Sequence, residues 1–175
     1  PISAVGEYCK EHGYTHNAIQ GPMEPTDCHI NYQKPLLLQK HIEDHDYIVW
    51  LDADVVPANY GKRFEDIIEE FDREIYFCKD PGGWPLNSGV IIFKNCDTSK
   101  RVIQKWWDSR YLGTDGHWRE DDGRGGCDQG RLIKIIREMI DGGASNLEPM
   151  DPHVMNCHPK MYKKGDFLVH CMGYA

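Results

Sequence analysis

The chain has 175 residues, of which 40 % are apolar, and its formal net charge is −8 at pH 7. A chain of this size is expected to form one domain, over residues 1–175, around one buried core. The negative charge argues against nucleic acid as a partner, because nucleic-acid binding depends on clustered Lys and Arg. No apolar run reaches the roughly 18–20 residues that span a bilayer, so we expect no membrane contact by this segment.

Helical and strand patterns alternate along the whole chain, which predicts an α/β domain with helices on both faces of the sheet. The first predicted element is a helix over Ile2–His12, which ends at Gly13 and is followed by a strand over Tyr14–Ile19. Doubly wound domains usually begin with a strand. We therefore expect one further strand to precede Pro1.

Apolar runs and amphipathic helices follow in regular alternation. Continuous apolar runs predict buried strands, and Tyr47–Leu51 is expected to be a buried central strand. Apolar residues at i, i+3, i+4 and i+7 predict helices with one buried face. The predicted elements of this part of the chain are helices over Leu36–Ile42 and Phe64–Phe71, and strands over Tyr47–Leu51, Ile75–Cys78 and Val90–Phe93.

The last part of the chain contains two predicted helices, a loop and a strand. Asp97 or Thr98 is expected to cap the first helix, and the glycine-rich, acidic segment Leu112–Gly126 predicts a long loop. The remaining predicted elements are a helix that begins near Asp128 and stops at Gly142-Gly143, and a short strand over Phe167–Val169 that leads to His170.

The seven cysteines form no CxxC pair, and their spacing matches no zinc module. Free thiols in a reducing compartment are the simplest interpretation, and one or two disulfides in a lumenal protein are the alternative. The adjacent pairs Cys157–His158 and His170–Cys171 give only a weak indication of soft-metal ligands.

The strongest local signal is Asp52-Ala53-Asp54, directly after the predicted strand Tyr47–Leu51. Ligands of open α/β sheets bind beyond the carboxyl ends of the strands, so both carboxylates can meet one ion there. Hard oxygen ligands select Mg²⁺ or Mn²⁺, and so few protein ligands leave coordination positions for substrate phosphates. Such an ion acts as a Lewis acid on a leaving phosphate. On this motif alone, a turn with an Asp cap is an equally good interpretation.

Several blocks together resemble the GT-A class of nucleotide-sugar glycosyltransferases, most closely the galactosyl- and xylosyltransferases of glycosyltransferase family 34. The blocks stand in the family's order and cover essentially the whole chain. A virus-encoded relative fits them equally well. They are Tyr8-Cys9-Lys10-Glu11-His12-Gly13-Tyr14, Lys34, Tyr47–Asp54, Asn87–Asn95, Asp128-Gln129, and His170 followed by Gly173.

The resemblance implies a single GT-A (Rossmann-like) domain with a mostly parallel mixed sheet flanked by helices. It implies transfer of a hexose or pentose from a nucleotide diphosphate sugar, most simply a UDP-sugar, to a glycan hydroxyl with retention of configuration. The partners would be this donor and a glycan acceptor. The compartment would be the Golgi lumen for a segment cut from a membrane-anchored eukaryotic enzyme, and the cytoplasm for a free-standing or virus-encoded one.

The resemblance also implies a metal centre and a phosphate contact. Asp52 and Asp54, flanking Ala53, would hold Mn²⁺ or Mg²⁺ directly or through water, and His170 would be the third protein ligand. Gly173 belongs to the same donor-binding block. Lys34 would contact donor phosphate or sugar hydroxyls, and its alternative is a solvated surface charge.

At the sugar end, the resemblance implies roles for two further blocks. Asn87-Ser88-Gly89 would hydrogen-bond sugar hydroxyls, with Gly89 permitting close approach. Asp128 would contact the donor sugar or lie beneath its anomeric carbon, and Gln129 would stabilise the oxocarbenium-like charge. The structural alternatives are a loop-to-strand turn for the first block and a helix N-cap for Asp128.

Three alternatives stay open on the sequence. An inverting GT-A enzyme would need a carboxylate base, which Asp80, Asp128 or the cluster Glu120–Asp122 could supply. A phosphatase of the haloacid-dehalogenase type would use Asp52 as its nucleophile, because Asp52–Val56 also fits the opening of that motif. A non-catalytic sugar-binding module is the third, and it would need no metal for a leaving group.

Overall fold

The computed structural model describes residues 2–21, 30–111 and 128–172. These residues form α-helices and β-strands in alternation, which confirms the predicted α/β class. The helices are α1 (Ile2–His12), α2 (Gln33–His41), α3 (Phe64–Phe71), α4 (Asp97–Asp108), α5 (Asp128–Asp141) and α6 (Pro152–Met155). The strands are β1 (Tyr47–Leu51), β2 (Val55–Pro57), β3 (Ile75–Phe77), β4 (Val90–Lys94) and β5 (Leu168–His170).

The strands form two small sheets. The first has the order β1-β4-β3, and the second pairs β2 with β5. Every ladder between these strands is antiparallel, with Leu51 opposite Val90 in the first sheet and Val55 opposite His170 in the second. Among the described residues, parallel pairing is limited to isolated bridges such as the one between Cys78 and Met150.

The expectation of a mostly parallel sheet is therefore wrong for the described strands. That expectation came from the resemblance to the GT-A class, and the continuous apolar run of β4 agreed with it, because parallel strands are usually buried on both faces. Here β4 is antiparallel to both neighbours and is still covered on both faces, which produces the same sequence pattern. β1, expected to be buried and central, is partly exposed and lies at the edge of the described sheet.

Two hydrophobic cores lie on opposite faces of β4. Ile91 and Phe93 pack into the first core, with residues of α2, α4 and α5. Val90 and Ile92 pack into the second core, with residues of α1, α3 and β5. Because each fully buried Ile or Phe side chain stabilises the fold by about 1.5–3 kcal/mol, β4 anchors both halves of the molecule.

The helix ends agree with their predictions at α1 and differ at α4. The N-cap of α4 is Cys96, whereas Asp97 or Thr98 was expected. Asp97 is instead the first helical residue, where a negative charge is favourable beside the helix dipole. α5 ends as predicted at two glycines, of which Gly143 has a positive φ of 91°.

The strand predicted over Tyr14–Ile19 is absent, and this described segment has no regular secondary structure. Its residues include β-formers, but no neighbouring strand offers them a ladder. Tyr14 is held by side-chain contacts instead, since its hydroxyl donates to Glu65 and its ring packs against Phe64. The predicted loop over 112–126 lies outside the described residues. Within those residues, no helix is long and apolar enough to cross a membrane.

Candidate active site and metal centre

The turn Asp52-Ala53-Asp54 connects the two sheets. β1 ends at Leu51, and the Asp52 N–H donates to the Gly89 carbonyl at 2.8 Å, which continues the pairing of β1 with β4. The turn closes through a 3.0 Å bond from the Val55 N–H to the Asp52 carbonyl, and β2 begins there. Ala53 is exposed at the tip of the turn. The two carboxylates therefore stand where the sheets meet.

The register of β2 with β5 brings His170 to this turn. His170 lies opposite Val55, and the Cys171 N–H donates to the Asp54 carbonyl at 3.0 Å. The Nε2 atom of His170 is 3.0 Å from Oδ1 of Asp54. One ligand atom each from Asp52, Asp54 and His170 lie within 4.8 Å of one another.

These three side chains fit a Mn²⁺ or Mg²⁺ ion. They provide two hard oxygen donors and one imidazole nitrogen, and the nitrogen favours Mn²⁺ in the general order of divalent affinities. The His170 side chain is buried, whereas the Asp54 side chain is 44 % exposed. An ion held here would thus face solvent on one side, where a substrate phosphate can complete its coordination.

Asn156 orients the imidazole of His170, a role that the sequence did not predict. The Oδ1 atom of Asn87 accepts from the Gly89 N–H at 2.8 Å and from Nδ2 of Asn156 at 2.9 Å. Because Nδ2 of Asn156 is used there, its Oδ1 faces Nδ1 of His170 at 3.0 Å. Nδ1 then carries the proton, and the lone pair of Nε2 points to the metal-binding side. Asn156 is fully buried.

Gly89 is required by the ring of His170. A Cβ atom at this position would lie 2.0 Å from Cε1 and 2.6 Å from Nδ1 of His170. The backbone of Gly89 has no positive φ, so the requirement is space and not conformational freedom. The close approach predicted for Gly89 is thus made by a protein side chain.

Gly89→Ala should displace the His170 ring. We expect Mn²⁺ affinity to fall by about 10–100-fold, the scale for lost metal-site partners, and the free energy of unfolding to fall by about 1–3 kcal/mol through overpacking. Calorimetric titration with Mn²⁺ and denaturant unfolding measure the two effects. Gly61→Ala is the matched control, because its added Cβ would meet only the Asn59 side chain, at 3.5 Å. Unchanged Mn²⁺ affinity in folded Gly89→Ala would contradict the assignment of His170 as a ligand.

Lys34 is the buried counter-ion of two carboxylates. Its ammonium is 2.9 Å from Oδ1 of Asp52 and 3.2 Å from Oδ2 of Asp128. It also lies 3.4 Å from Oγ of Ser88. Burial lowers the pKa of Lys34, but the charges of Asp128 and Asp52 outweigh it and hold the pKa above its ordinary value. Lys34 is therefore charged at neutral pH, and the surface-charge alternative is wrong.

Asp128 and Gln129 begin α5 and join it to Ser88, just before the start of β4. Oδ1 of Asp128 accepts from Asn31 at 3.1 Å, while Oδ2 faces Lys34. Oε1 of Gln129 accepts from the Ser88 N–H at 2.9 Å. Trp106 fixes the start of the helix, because its indole N–H donates to the Asp128 carbonyl at 2.8 Å.

Asp80 continues the same hydrogen-bond network. Its Oδ2 accepts from Asn87 at 2.8 Å and from Nε2 of Gln129 at 3.3 Å. Through these bonds the structure brings together the predicted site residues that it describes, apart from Ala53, which is exposed at the tip of its turn. They are Lys34, Asp52, Asp54, Asn87, Ser88, Gly89, Asp128, Gln129 and His170. Gly173, also predicted, lies outside the described residues.

No family model matches the sequence, and no curated protein matches it. The structure matches that of a solved glycosyltransferase involved in the glycosylation of the major capsid of PBCV-1. The TM-score is 0.67, and the match covers 99 % of this chain and 85 % of that chain. At 21 % identity the likeness concerns the fold. The chain thus shares the fold of that glycosyltransferase, and the resemblance predicted from the sequence is confirmed for the fold.

Proposed function

We propose that this chain is a metal-dependent glycosyltransferase. It transfers a hexose or pentose from a UDP-sugar to a glycan hydroxyl with retention of configuration. The observation that carries this proposal is the convergence of Asp52, Asp54 and His170 beside the buried Lys34–Asp128 pair. The likeness to a solved glycosyltransferase supports the class of reaction.

Donor binding in this proposal depends on charge. The chain carries a net charge of −8, and Asp52 and Asp54 stand where a diphosphate would lie. Without a cation these like charges repel in a partly desolvated site by an amount on the order of kilocalories. A bound Mn²⁺ or Mg²⁺ supplies Lewis-acid stabilisation to the leaving diphosphate. The protein's part is to fix the ligands, through Asn156 for His170 and through Trp50 and Lys34 for Asp52.

The sugar end is built from Ser88, Asp128 and Gln129. Asp128 is rigidly placed between Lys34 and Asn31, so its negative charge can lie beneath the anomeric carbon without reorganising. The amide oxygen of Gln129 accepts from the N–H and the hydroxyl of Ser88. Gln129 therefore positions the Ser88 hydroxyl and is also a polar group of the site itself. These contacts suit the stabilisation of positive charge that develops on the sugar.

The contacts of Asp128 and Asp80 make each of them a poor base for an inverting enzyme. An inverting enzyme needs a carboxylate that is available to take a proton from the acceptor hydroxyl. Both oxygens of Asp128 accept hydrogen bonds or face Lys34, and both oxygens of Asp80 accept hydrogen bonds. The third candidate base, the cluster Glu120–Asp122, lies outside the described residues.

UDP should raise the melting temperature only when Mn²⁺ is present. A ligand that binds the native state adds RT ln(1 + [L]/Kd), about 2.7 kcal/mol at a hundredfold excess over Kd. The measurement is a thermal shift series with UDP and UDP-sugars, each with Mn²⁺ and with excess chelator. Asp54→Asn should lose the Mn²⁺-dependent increase in melting temperature. Asp66→Asn, which replaces an exposed carboxylate on α3, should keep this increase. If UDP bound with the same affinity in excess chelator as in Mn²⁺, the proposal of metal-dependent donor binding would be wrong.

The same protein sample separates the alternatives. A haloacid-dehalogenase-type phosphatase would release phosphate from p-nitrophenyl phosphate and lose this activity in Asp52→Asn. A sugar-binding module would bind a free glycan with unchanged affinity in chelator and would transfer nothing. The proposed transferase should release UDP from a UDP-sugar in the presence of Mn²⁺.

A further inference from the structure

A second group of metal-ligand atoms lies on the segment that carries α6 and leads to β5. Nδ1 of His153 is 2.9 Å from Oδ2 of Asp166 and 3.8 Å from Sγ of Cys157. One ligand atom from each of the three residues falls within 4.8 Å of the other two. None of these side chains belongs to the proposed active site.

The three atoms converge on one point. Cys157 and Asp166 both face the same nitrogen of His153, whereas in a nucleophilic Cys–His–Asp relay the thiol and the carboxylate face opposite nitrogens. Cys157 is also fully buried. A fully buried thiol is inaccessible to a substrate, so these three residues do not form such a relay.

The distances fit a tetrahedral ion of zinc size. With Zn–S of about 2.3 Å and Zn–N of about 2.0–2.1 Å, a tetrahedral site places sulfur and nitrogen about 3.6 Å apart. The observed separation between Sγ and Nδ1 is 3.8 Å. Nδ1 and the Asp166 oxygen would have to move apart by about 0.5 Å, because an ion would replace the proton they now share.

The surrounding backbone holds the ligands in place. Asp166 accepts from the Lys163 N–H at 2.8 Å, and Asp151 caps α6 by accepting from the His153 N–H at 2.9 Å. The Cys157 side chain is enclosed, whereas that of His153 is 24 % exposed. Three protein ligands with one side open to solvent leave a fourth position for water.

We propose that His153, Cys157 and Asp166 form a zinc site separate from the centre at Asp52, Asp54 and His170. A thiolate with an imidazole selects Zn²⁺ over Mn²⁺ and Mg²⁺, so the two sites differ in the metal they take. Binding displaces the thiol proton to solvent and moves the His153 proton to Nε2.

The zinc site would support the active site through the backbone. The Cys157 N–H donates to the Leu168 carbonyl at 3.1 Å, and the His170 N–H donates to the Cys157 carbonyl at 2.9 Å. Asn156, which orients His170, directly precedes Cys157 in the chain. An ion bound by His153, Cys157 and Asp166 thus fixes the strand and the amide that position His170.

Cobalt spectroscopy of the whole chain tests the zinc site. Metal-free, reduced protein titrated with Co²⁺ at neutral pH should develop a thiolate-to-cobalt band in the near ultraviolet and tetrahedral bands in the visible, and one equivalent of Zn²⁺ should abolish them. Cys157→Ser should lose the near-ultraviolet band, and Asp166→Asn should weaken Zn²⁺ binding by about 10–100-fold. Cys171→Ser is the matched control, because Cys171 adjoins His170 and should not supply the sulfur.

The outcome is independent of the proposed transferase activity. Asp54→Asn should keep the thiolate-to-cobalt band at full intensity, since the centre at Asp52, Asp54 and His170 contains no sulfur. A wild-type protein without a thiolate band at millimolar Co²⁺, or a band that persists in Cys157→Ser, would overturn the zinc site. If circular dichroism shows that Cys157→Ser does not fold, His153→Gln replaces it, with loss of the tetrahedral bands expected and their persistence contradicting the proposal.

Discussion

Lys34→Met should lower the free energy of unfolding by about 3–5 kcal/mol at neutral pH, the cost of removing one partner from a buried ion pair. The ammonium of Lys34 is shared by Asp52 and Asp128, and the Asp128 side chain is only 4 % exposed. Methionine fills a similar volume but leaves two carboxylates without a counter-charge. Urea unfolding of both proteins at equal ionic strength measures the difference.

Lys100→Met is the control for the loss of a lysine from an ion pair. Lys100 contacts Glu43 at the same distance of 2.9 Å, but both side chains are substantially exposed. Such surface pairs contribute about 0–1 kcal/mol, so this variant should remain close to the wild type. If Lys34→Met lowered the free energy of unfolding no more than Lys100→Met does, the buried ion pair would stabilise the fold no more than a surface pair.

The effect of Lys34 should also depend on alkaline pH. Its pKa is higher in the folded protein than the ordinary value of 10.5, so the folded state holds this proton more tightly than the unfolded chain. The resulting stability is fully present below the unfolded pKa and is lost as the pH rises through the folded one. The gap between wild type and Lys34→Met should thus be constant from pH 7 to about pH 10 and shrink above it.

Asp128→Asn should lower kcat for UDP-sugar turnover by about 10²–10³-fold, with a much smaller change in donor Kd. This is the pattern for a preorganised group that acts on charge developing in the transition state. Stability should fall by about 1–3 kcal/mol as well, because an amide nitrogen must then face a donor on either Lys34 or Asn31. Single-turnover kinetics and donor titration separate the two parameters.

Asp141→Asn is the matched control for this substitution. Asp141 ends the same helix, α5, and is exposed, so both kcat and stability should stay near their wild-type values. A folded Asp128→Asn variant with normal kcat would assign Asp128 a structural role as the partner of Lys34.

Local patterns predicted the elements that have a full apolar face. The bounds of α1 and β1 agree with the sequence, because an amphipathic period and a continuous apolar run are both visible within one short segment. β2, only three residues long and ending at Pro57, was missed. Its existence depends on β5, a distant part of the chain, and no local period reveals such a partner.

In the candidate site, too, features set by one short segment were predictable, and features that depend on distant segments were not. The position of Asp52 and Asp54 after β1 follows from strand polarity and was predictable from the sequence. The geometry of His170 depends on the register between β2 and β5, which only the fold determines. Asn156 could not be found from spacing, because it is far from Asn87 in the chain and is joined to it by hydrogen bonds in the interior.

The turn between β1 and β2 lies where the two sheets meet. Asp52 stands at the end of a strand that belongs to one sheet, and His170 ends a strand of the other. An ion that both residues ligate would link segments that are distant in the chain. Because the unfolded chain has no preformed site, the free energy of binding this ion would add to the stability of the folded state. The centre proposed for catalysis would then also couple the unfolding of the two sheets: they would unfold together when the ion is bound and more independently when it is absent.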